Sequence, residues 1–265
     1  MITLCKACGT SYGDSQRPVE RCKICEDERQ FVPVSGQAWI GFDELIRSHT
    51  NKWLQHTPQL FSLKTVPSFA INQRAFLIRT PAGNVLWDCI ANLDPATRTL
   101  IHALGGLRAI AISHPHYYTT MQDWAEAFDV PIWLHAADRA WIMRDSPRIR
   151  LWEGEQHALL PGVTLLRLGG HFPGGTVLYQ EEGEGTIFTG DILQVTPGAD
   201  AVSFMWSYPN MLPLSSDTVA GITHRLEAVK FASLYGAFEG LNITADAHAI
   251  VQRSGAKYLS CLTSR

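Results

Sequence analysis

The stretch Arg108-Ala109-Ile110-Ala111-Ile112-Ser113-His114-Pro115-His116-Tyr117-Tyr118-Thr119 decides how the chain is read. Its first half is small and β-branched enough to be a buried strand, and it runs directly into an H-x-H pair. Two imidazoles at the end of such a strand point toward one place, in the crevice where α/β sheets hold ligands. Pro115 restricts the backbone between and before them, so the pair is preorganised.

Two later segments have the same character. Val163 to Leu168 reads as a strand and leads into Gly169-Gly170-His171; Thr186 to Thr189 leads into Gly190-Asp191. In each, a ligand-type side chain stands beside glycine, where the backbone turns sharply. Three histidines and one aspartate suit a single ion with room left for water.

The surrounding pattern is α/β. Ala75 to Thr80 and Val85 to Asp88 are strand-like runs joined by Pro81-Ala82-Gly83-Asn84. Asp94-Pro95 opens a helix with a capping carboxylate and proline at its first position, and Gly105-Gly106 closes it. A helix over Thr120 to Phe128 and a strand over Pro131 to His135 continue a βαβ rhythm. After Pro161 come successive strands, then a long helix from about Ser216 to Phe231 and a last one near Thr244 to Ser254.

The hairpin ending in Leu86-Trp87-Asp88, then Ser113-His114-Pro115-His116, Gly170-His171 and Thr189-Gly190-Asp191, in that order from about Leu60 onward, resemble the metallo-β-lactamase superfamily. The resemblance implies an αβ/βα four-layer sandwich, two central sheets flanked by helices with metals in the cleft. It also implies attack by a metal-bound hydroxide on an ester, thioester, lactone, lactam or phosphodiester. Members of the superfamily read H-x-H-x-D-H, whereas Tyr118 and Thr119 stand at the last two positions here. A late histidine ligand is replaced within Gly236-Ala237-Phe238-Glu239-Gly240. The resemblance therefore implies one intact metal site of His114, His116 and His171, with Asp191 swinging onto the same ion. Asp88 would orient the site without binding metal, the Tyr118 hydroxyl would hydrogen-bond an oxyanion, and Glu239 would stand in for the missing carboxylate that orients water and accepts its proton. The ion would be zinc, with Fe²⁺ the alternative.

At the other end, Cys5-Lys6-Ala7-Cys8 and Cys22-Lys23-Ile24-Cys25 form two CxxC pairs 13 residues apart. Four soft thiolates suit Zn²⁺ in a closed tetrahedral shell, which leaves no position for substrate and makes the ion structural. The spacing resembles zinc ribbons; a rubredoxin-type iron site and redox-active pairs are the alternatives. Residues 1–33 hold few large apolar side chains and need such a staple to fold. The expected division is a four-cysteine zinc-ribbon module over 1–33, a helical connector over 34–59 suggested by Trp39, Phe42, Leu45, Ile46 and Trp53, and the main domain over 60–265. Cys89 and Cys261 read as small buried apolar residues, and His135 as a hydrogen-bonded structural histidine. Trp206 to Pro213, rich in aromatics and proline, suits a wall or lid of the site.

Composition narrows the rest. The chain of 265 residues is 46% apolar and 18% charged, with net charge −3, which is ordinary globular composition. Nothing in it favours phosphate neutralisation, so nucleic acid is not an expected partner. No run approaches the roughly 20 apolar residues of a membrane span, and the N-terminus lacks the apolar core of a secretion signal, so a cytoplasmic location is expected. The expected partners are a small-molecule substrate, and another copy or another protein through the zinc ribbon. Three functions fit: a mononuclear metallohydrolase, a non-catalytic binding protein that kept the fold, and a mononuclear iron redox enzyme.

Overall fold

The structure is a computed structural model that describes residues 2–13 and 19–263; of the expected four-cysteine module, Met1 and residues 14–18 lie outside the described residues. Strands β1 (Thr3–Cys5), β2 (Ser11–Tyr12) and β3 (Trp39–Gly41) form a small antiparallel sheet in the order β2-β1-β3. Helix α1 (Phe42–Ser48) follows at once and buries Leu45 against Leu4, Ile40 and Ala91.

Then come β4 (Thr50–Thr57), β5 (Leu60–Val66), β6 (Arg74–Ile78), β7 (Val85–Trp87), α2 (Pro95–Ala103), β8 (Ala109–Ala111), α3 (Met121–Phe128), β9 (Ile132–His135) and β10 (Ile149–Trp152). The strands make a seven-stranded sheet in the order β10-β9-β8-β7-β6-β5-β4, with β7, β8 and β9 parallel to one another. Those parallel strands are short, mostly apolar and almost wholly buried, as strands covered on both faces must be. The Asp94 carboxylate caps α2 by accepting from the Thr97 amide at 2.7 Å, and its other oxygen accepts from the Asn51 amide at 2.9 Å. Met121, Trp124, Ala125 and Phe128 form the buried face of α3.

The expected helical connector is corrected here. Only Phe42–Ser48 is helical; Thr50–Thr57 is an edge strand paired with β5, Trp53 opposite Leu63. Five apolar residues spread from position 39 to 53 underdetermine a period, and pairing along a whole neighbouring strand outweighs a helix carrying Thr50, Asn51 and Thr57.

The remaining elements are β11 (Gln156–Leu160), β12 (Val163–Arg167), β13 (Thr176–Gln180), β14 (Thr186–Gly190), β15 (Gln194–Val195), β16 (Val202–Ser203), β17 (Met205–Ser207), β18 (Leu212–Pro213), α4 (Ser216–Glu227), β19 (Ser233–Gly236), β20 (Asn242–Ile243) and α5 (Ala247–Thr263). A six-stranded sheet runs β11-β12-β13-β14-β19-β20, parallel only at β14–β19. Val219, Ile222 and Leu226 of α4 and Val251 of α5 share a core with Val177, Ile187 and Leu234 of that sheet. The last helix continues well past Ser254, where its sequence pattern suggests an end.

The chain divides into two compact units, Met1–Leu134 with Arg139–Leu151, and His135–Asp138 with Trp152–Arg265. The four-cysteine module is thus part of the first unit, not a separate body with a boundary at residue 33. Its cysteines and Ile24 share a cluster with Ile71, Trp141 and Met143, and Lys23 Nζ donates to the Ala140 carbonyl at 2.6 Å. Among the described residues no helix is long and apolar enough to cross a membrane. Cys89 is buried as expected, but Cys261 is exposed, because it falls on the solvent side near the end of α5.

Candidate metal centres

Strand β8 delivers the H-x-H pair as its sequence suggests. After Ser113 the chain is extended at His114 and then makes one tight turn over Pro115–Tyr117, closed by the Tyr117 amide on the His114 carbonyl at 3.1 Å. Asp88, in the left-handed conformation at φ 60°, receives the Ser113 amide on Oδ1 at 2.7 Å and gives its own amide to the Ala111 carbonyl at 2.9 Å. Ser113 Oγ lies 2.8 Å from His114 Nδ1. His114 and His116 are each 1% exposed, their rings 5.0 Å apart.

His171 leaves a tight loop in which the Leu168 and Gly169 amides both bond the Gly175 carbonyl. Gly170 there has φ 82°, a left-handed conformation that favours glycine, and the Leu214 and Ile222 methyls close in on the space a Cβ would take. His171 Nδ1 lies 3.2 Å from the Met205 carbonyl. A carbonyl only accepts, so Nδ1 carries the proton and Nε2 keeps its lone pair, the arrangement that sets a metal-ligating imidazole. Asp191 follows Gly190, at φ 51°, just beyond the body of β14.

The ligand atoms of His114, His116, His171 and Asp191 lie within 4.8 Å of one another, and all four residues are buried. Three imidazoles and a carboxylate match the donor set of a catalytic zinc or iron ion, so the residues fit the group that the resemblance implies. Glu239 is not in this group and sits half-buried after β19. Tyr118 is buried and lines a small cavity with Thr10, Ser11, Trp141, Met143 and Arg144, which places it beside the four-cysteine module.

Sequence reading alone did not single out Ser113, the Met205 carbonyl or Tyr208. The Tyr208 ring is 5.9 Å from that of His171. Burial first, and then the Asp191 charge, push its hydroxyl well above the usual phenol range, so it stays protonated and donates to the Ser203 carbonyl at 3.0 Å. The only advance signal was the aromatic and proline content of Trp206 to Pro213.

The second group is Cys5, Cys8, Cys22 and Cys25, whose sulfurs also lie within 4.8 Å of one another and are buried. Cys8 and Cys22 sulfurs are 3.4 Å apart, Cys5 and Cys25 sulfurs 3.6 Å, and none forms a disulfide. Tetrahedral bonds of about 2.3 Å set sulfurs about 3.8 Å apart, so the four are close to a metal-binding arrangement. Hydrogen bonds from Cys25, Cys5 and Cys8 hold the Cys22 thiol far below its ordinary range, and the Tyr12 hydroxyl adds a further one at 3.4 Å.

No protein-family model matches the chain. It is similar to "Uncharacterized protein YmaE" of Bacillus subtilis (strain 168), 42% identical over 266 residues, covering 98% of this chain and 97% of that protein. Among solved structures it is similar to DIM-1 metallo-β-lactamase (TM-score 0.59, 11% identity, 80% of this chain and 100% of that one). The metallo-β-lactamase FIM-1 from Pseudomonas aeruginosa in its mono-zinc form matches with TM-score 0.56 at 11% identity, over 79% of this chain and 96% of that one. TTHA1623 in a di-iron-bound form matches with TM-score 0.53 at 23% identity, over 72% and 96%.

Proposed function

This chain belongs to the family of the Bacillus subtilis protein YmaE and carries the metallo-β-lactamase fold, and from that premise we propose that it is a metal-dependent hydrolase with a mononuclear site. The observation that carries the reading is the group of His114, His116, His171 and Asp191. A divalent ion held by these four would supply a Lewis acid that makes a coordinated water nucleophilic near neutral pH. Zinc is the proposed ion.

The chain's own contribution is orientation. The Met205 carbonyl fixes the tautomer of His171, which presents Nε2 before any ion arrives, and the Ser113 hydroxyl 2.8 Å from Nδ1 holds the His114 ring in place. Asp88 holds the Ser113 amide and thereby the start of the H-x-H turn. Asp191 is the only carboxylate in the group, so it is the proposed acceptor for a proton from water as well as a ligand. The proposed substrates are an ester, a thioester, a lactone or a phosphodiester, each with an electrophilic centre that such a site attacks.

Element-resolved metal analysis tests the reading. Intact protein should hold two ions, and His114→Ala and His171→Ala variants one, retained by the cysteines. Hydrolysis of at least one member of a panel of those four substrate classes should fall by about 100-fold or more in both variants. One ion per chain held wholly by the cysteines, or turnover that survives both substitutions, would refute it.

A further inference from the structure

Thr119 lies three residues after His116 with φ 34°, a backbone region that a β-branched side chain adopts only when its surroundings impose it. The imposing contact comes from the four-cysteine module. Ser11 Oγ donates to the Thr119 carbonyl across 108 residues of chain. Ser11 accepts in turn from Arg144 Nε at 3.0 Å, and Arg144 is held at the start of α3 by the Asp123 carboxylate and by Gln122 Oε1 at 3.1 Å. Ser11 and Thr119 are 2% and 3% exposed, so neither group can exchange this bond for water without opening the structure.

The backbone on the other side of Ser11 leads straight to sulfur. Gly9, at φ 79°, brings bare backbone against Thr119: a Cβ there would stand 3.4 Å from Thr119 Cγ2, 3.2 Å from Ala70 Cβ and 3.5 Å from Ala91 Cβ. Thr10 Oγ1 is 3.1 Å from Cys8 Sγ, and the Thr10 carbonyl accepts the Cys5 amide at 3.0 Å. The segment Cys8-Gly9-Thr10-Ser11 therefore connects a ligand of one centre to the end of the turn carrying two ligands of the other.

We propose that Ser11 is a positioning residue, through which the ordered four-cysteine knuckle holds the His114–Thr119 turn in the shape that presents both imidazoles. The cysteine centre is then a control element for the second centre, and disordering the knuckle releases the turn. The consequence for metal affinity at the histidines rests on the proposed function; the consequence for the turn does not.

The test uses full-length protein loaded with Co²⁺, since thiolate-bound cobalt absorbs strongly by charge transfer and cobalt on nitrogen and oxygen gives only weak ligand-field bands. Ser11→Ala should keep the thiolate band. Amide exchange at Tyr117, Tyr118 and Met121 should rise about tenfold, and Co²⁺ affinity at the histidine centre should fall about tenfold, the factor for one buried acceptor left unpaired. Ser11→Thr, which restores the hydroxyl, should recover both. If Ser11→Ala does not fold, Arg144→Gln loosens the same bond from outside the module and should raise exchange at the same amides. Wild-type exchange in a folded variant that keeps the thiolate band overturns the coupling. If the wild-type protein binds no ion outside the cysteines, the proposed function falls and exchange alone decides the coupling.

Discussion

The Asp88 carboxylate accepts the Ser113 amide at 2.7 Å, one residue before His114, and Asp88 itself sits at φ 60° to do so. Both residues are 1% exposed, so the bond is out of reach of water. Asp88→Ala leaves a buried amide unpaired and keeps the unfavourable backbone, which should cost about 2 kcal/mol or more. Asp88→Asn keeps an acceptor and tolerates positive φ, and should cost about half of that. Denaturant titration of the two variants, with metal affinity at the histidine centre measured beside it, checks the order; equal losses would mean that the carboxylate does not orient the turn.

Removing a thiolate should act first on the module and only then on the rest. Cys22 Sγ lies 3.4 Å from Cys8 Sγ and accepts from the Tyr12 hydroxyl at 3.4 Å, and the Lys23 amide donates to the Tyr12 hydroxyl at 3.1 Å. Cys22→Ser should lose one metal equivalent per chain and bring amide exchange in β1 and β2 close to that of an open chain, because those strands hold only five residues between them. Retention of two equivalents would show that the four cysteines are not a metal site.

The H-x-H pair, the glycine before His171 and the glycine before Asp191 were legible because each depends on local geometry: a strand ends, the chain must turn, and residue type records the turn. The two CxxC pairs were legible for the same reason. The contact of Ser11 with Thr119 was not, since nothing local to either residue encodes a partner 108 positions away. The carbonyl that fixes His171 was hidden too, because Met205 contributes backbone and any residue could stand there. Thr50–Thr57 failed differently. Its exposure alternates only loosely along an edge strand, so the apolar spacing was too sparse to tell a period of two from one of 3.6.

His135 sets a pH dependence of stability. Its Nδ1 accepts the Ala137 amide at 3.2 Å while Nε2 lies 3.1 Å from the Gly154 carbonyl, so the ring is held neutral with Nε2 as the donor. Burial is the main cause that lowers its pKa from the ordinary 6.5. The unfolded chain then takes up a proton before the folded one does, and stability falls as pH drops below about 6.5, by at most ~1.4 kcal/mol per unit from this residue. It is flat above that pH. His135→Gln should flatten the acid limb of stability against pH between about 7.5 and 5, measured by urea titration; an unchanged slope would place the titrating group elsewhere.

Gly255 lies inside α5 and not at its end, although glycine in a helix costs about 1 kcal/mol against alanine. The reason is Thr223 of α4. A Cβ at Gly255 would stand 2.2 Å from Thr223 Cγ2, and Thr223 cannot rotate freely because its hydroxyl donates to the Val219 and Ala220 carbonyls at 3.0 Å each. Gly255→Ala should therefore destabilise the protein by about 1–3 kcal/mol, as overpacking does, despite its better helix propensity. Thr223→Ser removes the obstructing methyl and keeps the hydroxyl. In the Thr223→Ser background the same Gly255→Ala substitution should become neutral or stabilising by up to about 1 kcal/mol, a reversal of sign that thermal or chemical denaturation of the four proteins in the cycle reads directly. Additive effects in that cycle would mean that α4 and α5 do not meet at these two residues.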